Sequence, residues 1–256
     1  MFRPRVIPCL LLKDNGLVKS IGFKNLKYIG DPLNAVRIFN DKKADELIFL
    51  DINATREKRT IDVDLVKKIG EECNMPFAVG GGIKTIEQIR ELLKAGAEKV
   101  CLNTFAFGEI GLIKKASGEF GSSSIVVSID VKKRMFGKQQ VYVCSGTKAT
   151  GLDAVEYAQR IASMGAGEII INSIDRDGTM EGYDLELIKR VANSVDIPVV
   201  ALGGAGSLND LKMAVEVGNS SAVAAGSLFV FRGNRNAVLI NFPSRKELLE
   251  LFRKQE

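Results

Sequence analysis

The 256-residue chain contains no histidine and no tryptophan. Without imidazole it lacks the usual general base near neutral pH and the commonest metal ligand, so proton transfer must fall to Asp, Glu, Lys, Tyr or Cys. No metal or cofactor is expected. The four cysteines, Cys9, Cys73, Cys101 and Cys144, form no CxxC pair, and three lie in apolar strand-like runs. They read as buried free thiols rather than ligands or disulfides. No apolar run approaches the roughly 20 residues needed to span a bilayer, and the N-terminus lacks the apolar centre of a signal peptide; a cytoplasmic protein without membrane contact is expected. The one tight basic run, Lys132, Lys133 and Arg134, has no interleaved aromatics, and the net charge is only +5. That pattern reads as a solvated loop, not as a nucleic-acid surface.

What the chain does have is alternation. Short apolar or β-branched runs near residues 5–12, 46–52, 76–80, 98–103, 124–131, 168–174, 198–202 and 221–226 are separated by segments of helical period, among them DLVKKIGEEC, TIEQIRELLKAG, DLELIKRVANSV and SLNDLKMAVEVG. Eight strands alternating with helices in about 250 residues is the pattern of a (β/α)8 TIM barrel. It predicts one barrel domain over residues 1–256. The halves also repeat: ADELIFLDIN aligns with AGEIIINSID, DVDLVKKI with DLELIKRV, and MPFAVGGGIKT with IPVVALGGAGS, all at an offset of 122 residues. The barrel is therefore expected to be two duplicated half-barrels.

Strand ends on the C-terminal face carry the candidate chemistry. Gly80, Gly81 and Gly82 and then Asn103 and Thr104 end two strands of the first half; Gly203, Gly204, Ala205 and Gly206 and then Gly226 and Ser227 end two of the second. Glycine lets backbone N–H groups approach an anion, so the duplication predicts two phosphate cradles on opposite sides of the mouth. Asp51, Asp130, Asp175 and Asp177 are the strand-end carboxylates, and Asp130, closing the apolar run SIVVSID, is the strongest acid/base candidate. Its half-barrel counterpart is Leu11, so one side of an obvious acid/base couple is apolar.

Together the stretches RVIPCL, KDNGLVK, ELIFLDI, FAVGGGI, EKVCLNT, VSID, CSGTKATG, SIDRDGTMEGYD and LGGAG resemble the cyclase subunit of imidazole glycerol phosphate synthase, the HisF family, over nearly the whole chain. The resemblance implies a barrel that takes ammonia from a HisH-like glutaminase docked on its N-terminal face and uses it to cleave and cyclise a two-phosphate ribonucleotide. It implies substrate and phosphate contacts at Lys19, Gly82, Asn103, Thr104, Ser145, Asp177, Gly178, Gly204, Gly226 and Ser227, with Lys19 on a mobile loop after the first strand. Asp130 matches the second catalytic aspartate of that family, and Leu11 stands where the first would be. Arg5, Glu46, Lys99 and Glu168 open four strands; four inward charges are tolerable only if mutually paired. The pairing would either plug the barrel or, as the resemblance implies, form its ammonia gate.

With Leu11 in place of an acid, the leading reading is a synthase subunit that passes ammonia onward. The resemblance includes a second branch of similar paralogues, which the tail VLINFPSRKELLELF also favours, and it implies for that branch an N-acetyl sugar amidotransferase partner in surface-polysaccharide biosynthesis. The alternatives are a working histidine-pathway cyclase, an inert scaffold that activates a glutaminase, and a single-chain aminoaldose isomerase of the related half-barrel type, which would also want two strand-end carboxylates. A phosphorylated small molecule is the expected ligand.

Overall fold

The computed structural model describes residues 3–134, 139–233 and 236–253. Eight parallel strands close into a barrel: β1 (Arg5–Lys13), β4 (Leu47–Asp51), β5 (Phe77–Gly80), β6 (Lys99–Leu102), β7 (Ile125–Lys133), β10 (Glu168–Ser173), β11 (Val199–Leu202) and β12 (Ala222–Ala225), with β12 pairing back to β1. All eight coincide with runs expected from the sequence, because a strand buried on both faces must be apolar throughout. The helices between them include α1 (Pro32–Lys42), α2 (Val63–Glu72), α3 (Ile86–Lys94), α4 (Thr104–Gly108) and α5 (Gly111–Phe120) in the first half. In the second half they include α6 (Ala154–Ser163), α7 (Leu185–Ala192), α8 (Leu208–Glu216) and the short α9 (Ser227–Val230). A final helix, α10 (Arg245–Leu251), ends the described chain, and buried Phe242 just before it packs on Phe39 and Phe229.

The duplication reaches the helix caps. Asp31 and Asp153, Asp62 and Asp184, and Thr85 and Ser207 are each 122 residues apart, and each side chain accepts a backbone N–H of the helix it begins. Gln88 and Asp210, at the same offset, complete reciprocal capping boxes. Such a cap is worth about 1 kcal/mol and fixes where the chain turns from strand to helix, which keeps the two halves in register.

Two antiparallel excursions rise from the mouth. The segment after β1, expected to be a long loop, is a ribbon of β2 (Gly16–Ile21) and β3 (Lys24–Gly30) that continues β1 through a turn at Asp14 and Asn15. Leu17, Val18, Lys19 and Ser20 of this ribbon are all buried. In the second half β7 continues into β8 (Gln139–Val143) and β9 (Lys148–Ala149). A last small ribbon joins β13 (Phe231–Arg232) to β14 (Ala237–Val238). Of the four cysteines, all unpaired, Cys9 and Cys101 are buried in the barrel, while Cys73 and Cys144 are only half-buried, outside the apolar strands. No helix among the described residues is long and apolar enough to cross a membrane, and no group of three or more metal-binding side chains assembles.

Candidate functional site

At the N-terminal end of the barrel the four charged residues form a closed ring. Arg5 bridges Glu46 and Glu168 through its two terminal nitrogens, and Lys99 Nζ lies 2.9 Å from Glu46 Oε1 and 3.0 Å from Glu168 Oε2. The two glutamates are buried, and are themselves a duplicated pair; the two cations come from one half only. Each carboxylate meets both cations, the condition under which buried charge is tolerated. Above the ring the barrel centre is an apolar shaft of Ile7, Cys9, Ile48, Ala78, Cys101, Val126, Ile170, Val200, Ala222 and Ala224. Burial raises the Cys9 thiol to about 12 and pushes Cys101 up as well, so neither is an active thiolate.

The shaft opens into a cavity at the first-half strand ends, lined among others by Leu11, Leu26, Leu50, Asp51, Arg56, Gly82, Asn103, Thr104, Asp130, Ser145 and Asn172. Leu11 and Asp130 thus share one cavity wall system, on β1 and β7. Asp130 is 8% exposed. Asn172 Nδ2 donates to one of its oxygens and Asn103 Nδ2 to the other, both at 3.0 Å. Burial is the main force on this carboxyl and lifts it from 3.8 to about 6; the two amide hydrogen bonds oppose the rise, and the charge of Asp177 adds to it. Asp130 therefore sits where it can exchange a proton near neutral pH.

Asn172 was not singled out by sequence reasoning, although an amide in the apolar run EIIINS was a usable signal. Its place in the first half is taken by Leu50: β1 sets Leu11 beside Leu50 and β7 sets Asp130 beside Asn172. One half-barrel therefore presents two leucines where the other presents a hydrogen-bonded Asp and Asn. The Oδ1 of Asn172 has no hydrogen-bond partner within the protein, leaving an acceptor free inside the site.

The other carboxylates are held by their surroundings. Asp51 is bridged by Arg59 at 2.5 Å and accepts from the backbone of Asn53 and Ala54. Asp175 accepts from Lys133 N at 2.7 Å, and Asp177 from Ser20 Oγ at 2.8 Å.

The expected contact residues separate into two groups. Gly82, Asn103, Thr104 and Ser145 line the first-half cavity; Thr104 Oγ1 accepts from Cys144 N, and Ser145 Oγ donates to Ile52 O, which ties the second excursion over that cavity. Gly178, Gly204, Gly226 and Ser227 lie outside that cavity, in the second half. Lys19 joins that group. It is 5% exposed, its Nζ lies 3.4 Å from Cys9 O, and a Cβ built on Gly226 would fall 1.8 Å from the ammonium. It is carried by the β2–β3 ribbon, which Gly22 N fastens to Asp177 O at 2.9 Å. The tips of the two excursions meet over the mouth, where a Cβ on Gly146 would approach Phe23 and Ile174 at 2.9 and 3.1 Å.

Comparison with known proteins agrees with this frame. The histidine biosynthesis protein family model matches residues 5–234. The chain is 46% identical over 229 residues to the imidazole glycerol phosphate synthase subunit HisF of Alkaliphilus metalliredigens, covering 90% of this chain and 91% of that one. It is 50% identical over 228 residues to the HisF subunit of Endomicrobium trichonymphae, covering 89% and 87%. It is also 49% identical over 248 residues, 97% and 99% of the two chains, to a Pseudomonas aeruginosa protein with a provisional name as a HisF-type subunit of the same synthase. With identity sustained over almost the whole barrel, the chain belongs to the HisF family of histidine biosynthesis proteins.

Proposed function

We propose that this chain, acting as one barrel domain, is the synthase subunit of a glutamine amidotransferase complex. A HisH-like glutaminase docks at its N-terminal face and releases ammonia there; the ammonia passes the ring of Arg5, Glu46, Lys99 and Glu168 and leaves at the mouth for an acceptor held by an N-acetyl sugar amidotransferase. The observation that carries this reading is Leu11, which lines the cavity of Asp130. A leucine cannot exchange a proton, so the cavity keeps half of an acid/base couple while the path beneath it stays apolar. Ammonia is small and neutral when deprotonated, and an apolar shaft favours that form over ammonium. Gly82 with Thr104, and Gly204 with Gly226 and Ser227, are proposed as cradles for the phosphate of a bound small molecule.

A histidine-pathway cyclase is the second reading, favoured by Asp130 itself, whose carboxyl at about 6 can act as either acid or base. Reconstitution with a glutaminase subunit separates the two. The first reading expects glutamate release to rise on complex formation, with ammonia released in equal amount and little imidazole glycerol phosphate formed from the ribonucleotide. Stoichiometric cyclisation would establish the second reading instead. No complex at micromolar concentrations would remove both roles for the ring.

A further inference from the structure

Resting on the reading of Gly82 and Thr104 as a phosphate cradle, we infer that Arg56, on the loop after β4, is the counter-cation of that cradle, so that a molecule held there by its phosphate lays its carbon skeleton against Leu11 and Leu50. Three charged side chains line this cavity: Asp51, Asp130 and Arg56. Asp51 is neutralised by Arg59, and both oxygens of Asp130 accept amide hydrogen bonds. The side chains first expected to hold the phosphate are engaged elsewhere. Thr104 Oγ1 donates to Asn103 Oδ1 and accepts from Cys144 N, while the amide nitrogen of Asn103 is spent on Asp130 and Ser128 O.

Arg56 is different. Its neighbour Glu57 is taken by Arg59 at 2.7 Å and by Asn53 at 3.2 Å, and among the described residues Arg56 itself makes no ion pair or side-chain hydrogen bond. A guanidinium offers five donors in a planar fork that matches phosphate oxygens. The cavity of about 210 Å³ exceeds several waters at about 30 Å³ each, which is room for a phosphate and a few carbons.

The duplication shows that this cation is particular to the first half. The residue 122 positions on is Gly178, at φ +73°, where a Cβ would lie 2.0 Å from Ser20 O. No side chain fits there. The second cradle has Lys19 beside Gly226 instead, delivered by the β2–β3 ribbon. Each cradle thus has one cation from a different element, so the two can be weakened separately.

Backbone amide spectra of the full-length chain, titrated with inorganic phosphate against chloride at matched ionic strength, test this. Phosphate should shift the amides of Gly82 and Thr104 as well as those of Gly204 and Gly226. Arg56→Gln should weaken the response at Gly82 and Thr104 by about tenfold or more, the scale of a lost charge-assisted hydrogen bond, and leave the second cradle unchanged. Arg56→Lys should recover part of it, and glycerol phosphate should reproduce the pattern with added shifts at Leu11 and Leu50. An unaltered Gly82 response in Arg56→Gln overturns the role of Arg56 alone. Absence of a phosphate response at Gly82 in the unmodified chain overturns the cradle reading on which it rests.

Discussion

Replacing Asp130 by Asn should make the stability of the barrel depend less steeply on pH, and the size of the change follows from the site. The carboxyl rises from 3.8 to about 6 chiefly because it is buried. One pKa unit corresponds to about 1.4 kcal/mol, so holding the charged form in the folded barrel costs about 3 kcal/mol. The sign follows from proton binding: between those two values the folded chain keeps a proton that the unfolded chain has lost, so stability falls as pH rises through the window and stays low above about 6. About 2 kcal/mol of that loss falls between pH 4.5 and pH 8. Asn cannot ionise, but one of its atoms is an amide nitrogen that must face a donor from Asn103 or Asn172, at a cost of about 1 kcal/mol that does not vary with pH. The absolute effect of Asp130→Asn mixes these contributions, whereas its change with pH isolates the ionisation. Urea unfolding of both proteins at pH 4.5 and pH 8 measures it; the variant should gain about 2 kcal/mol relative to the parent at the higher pH. A difference between the proteins that stays constant within about 0.5 kcal/mol across that range would mean that Asp130 is not desolvated enough to be shifted, and the acid/base role near neutral pH would lose its basis.

Leu11→Asp should raise the formation of imidazole glycerol phosphate with free ammonia by up to about 10² to 10⁴-fold from a low starting rate, the usual contribution of a positioned acid/base group; a starting rate equal to that of a two-aspartate relative, and abolished by Asp130→Asn, would refute the ammonia-transfer reading. Lys99→Met removes two contacts from the ring and leaves Glu46 and Glu168 sharing Arg5, so it should destabilise the barrel by about 3–5 kcal/mol and alter stimulation of a bound glutaminase. Loss below about 1 kcal/mol in urea unfolding would mean a solvated ring. Gly82→Ala should cost more than about 2 kcal/mol, because Gly82 lies at φ +66° and a Cβ would fall 1.8 Å from Arg59 O; thermal unfolding reads this directly.

Much of this barrel was legible along the chain because its determinants are local or repeat at a fixed offset. A strand covered on both faces needs an unbroken apolar run, a helix on the outside needs one apolar stripe, and a cap such as Asp62 or Ser207 acts within three residues of itself. The 122-residue offset then identified the second half, and the ring charges were readable because an ionic residue opening an apolar strand has few places to go. The site itself was decided by closure. Asp130 is gripped by Asn103 and Asn172, 27 and 42 residues away, and no local pattern names those partners; they meet because adjacent parallel strands share one register at the mouth. Lys19 reaches Gly226 because β2 and β3 pair as a ribbon fastened to Asp177, and Arg56 lines the first-half cavity because the loop after β4 folds over Gly82. Periodicity determines which face of an element is buried, but only the closed sheet, which brings distant strand ends to a common rim, determines which polar side chains share it.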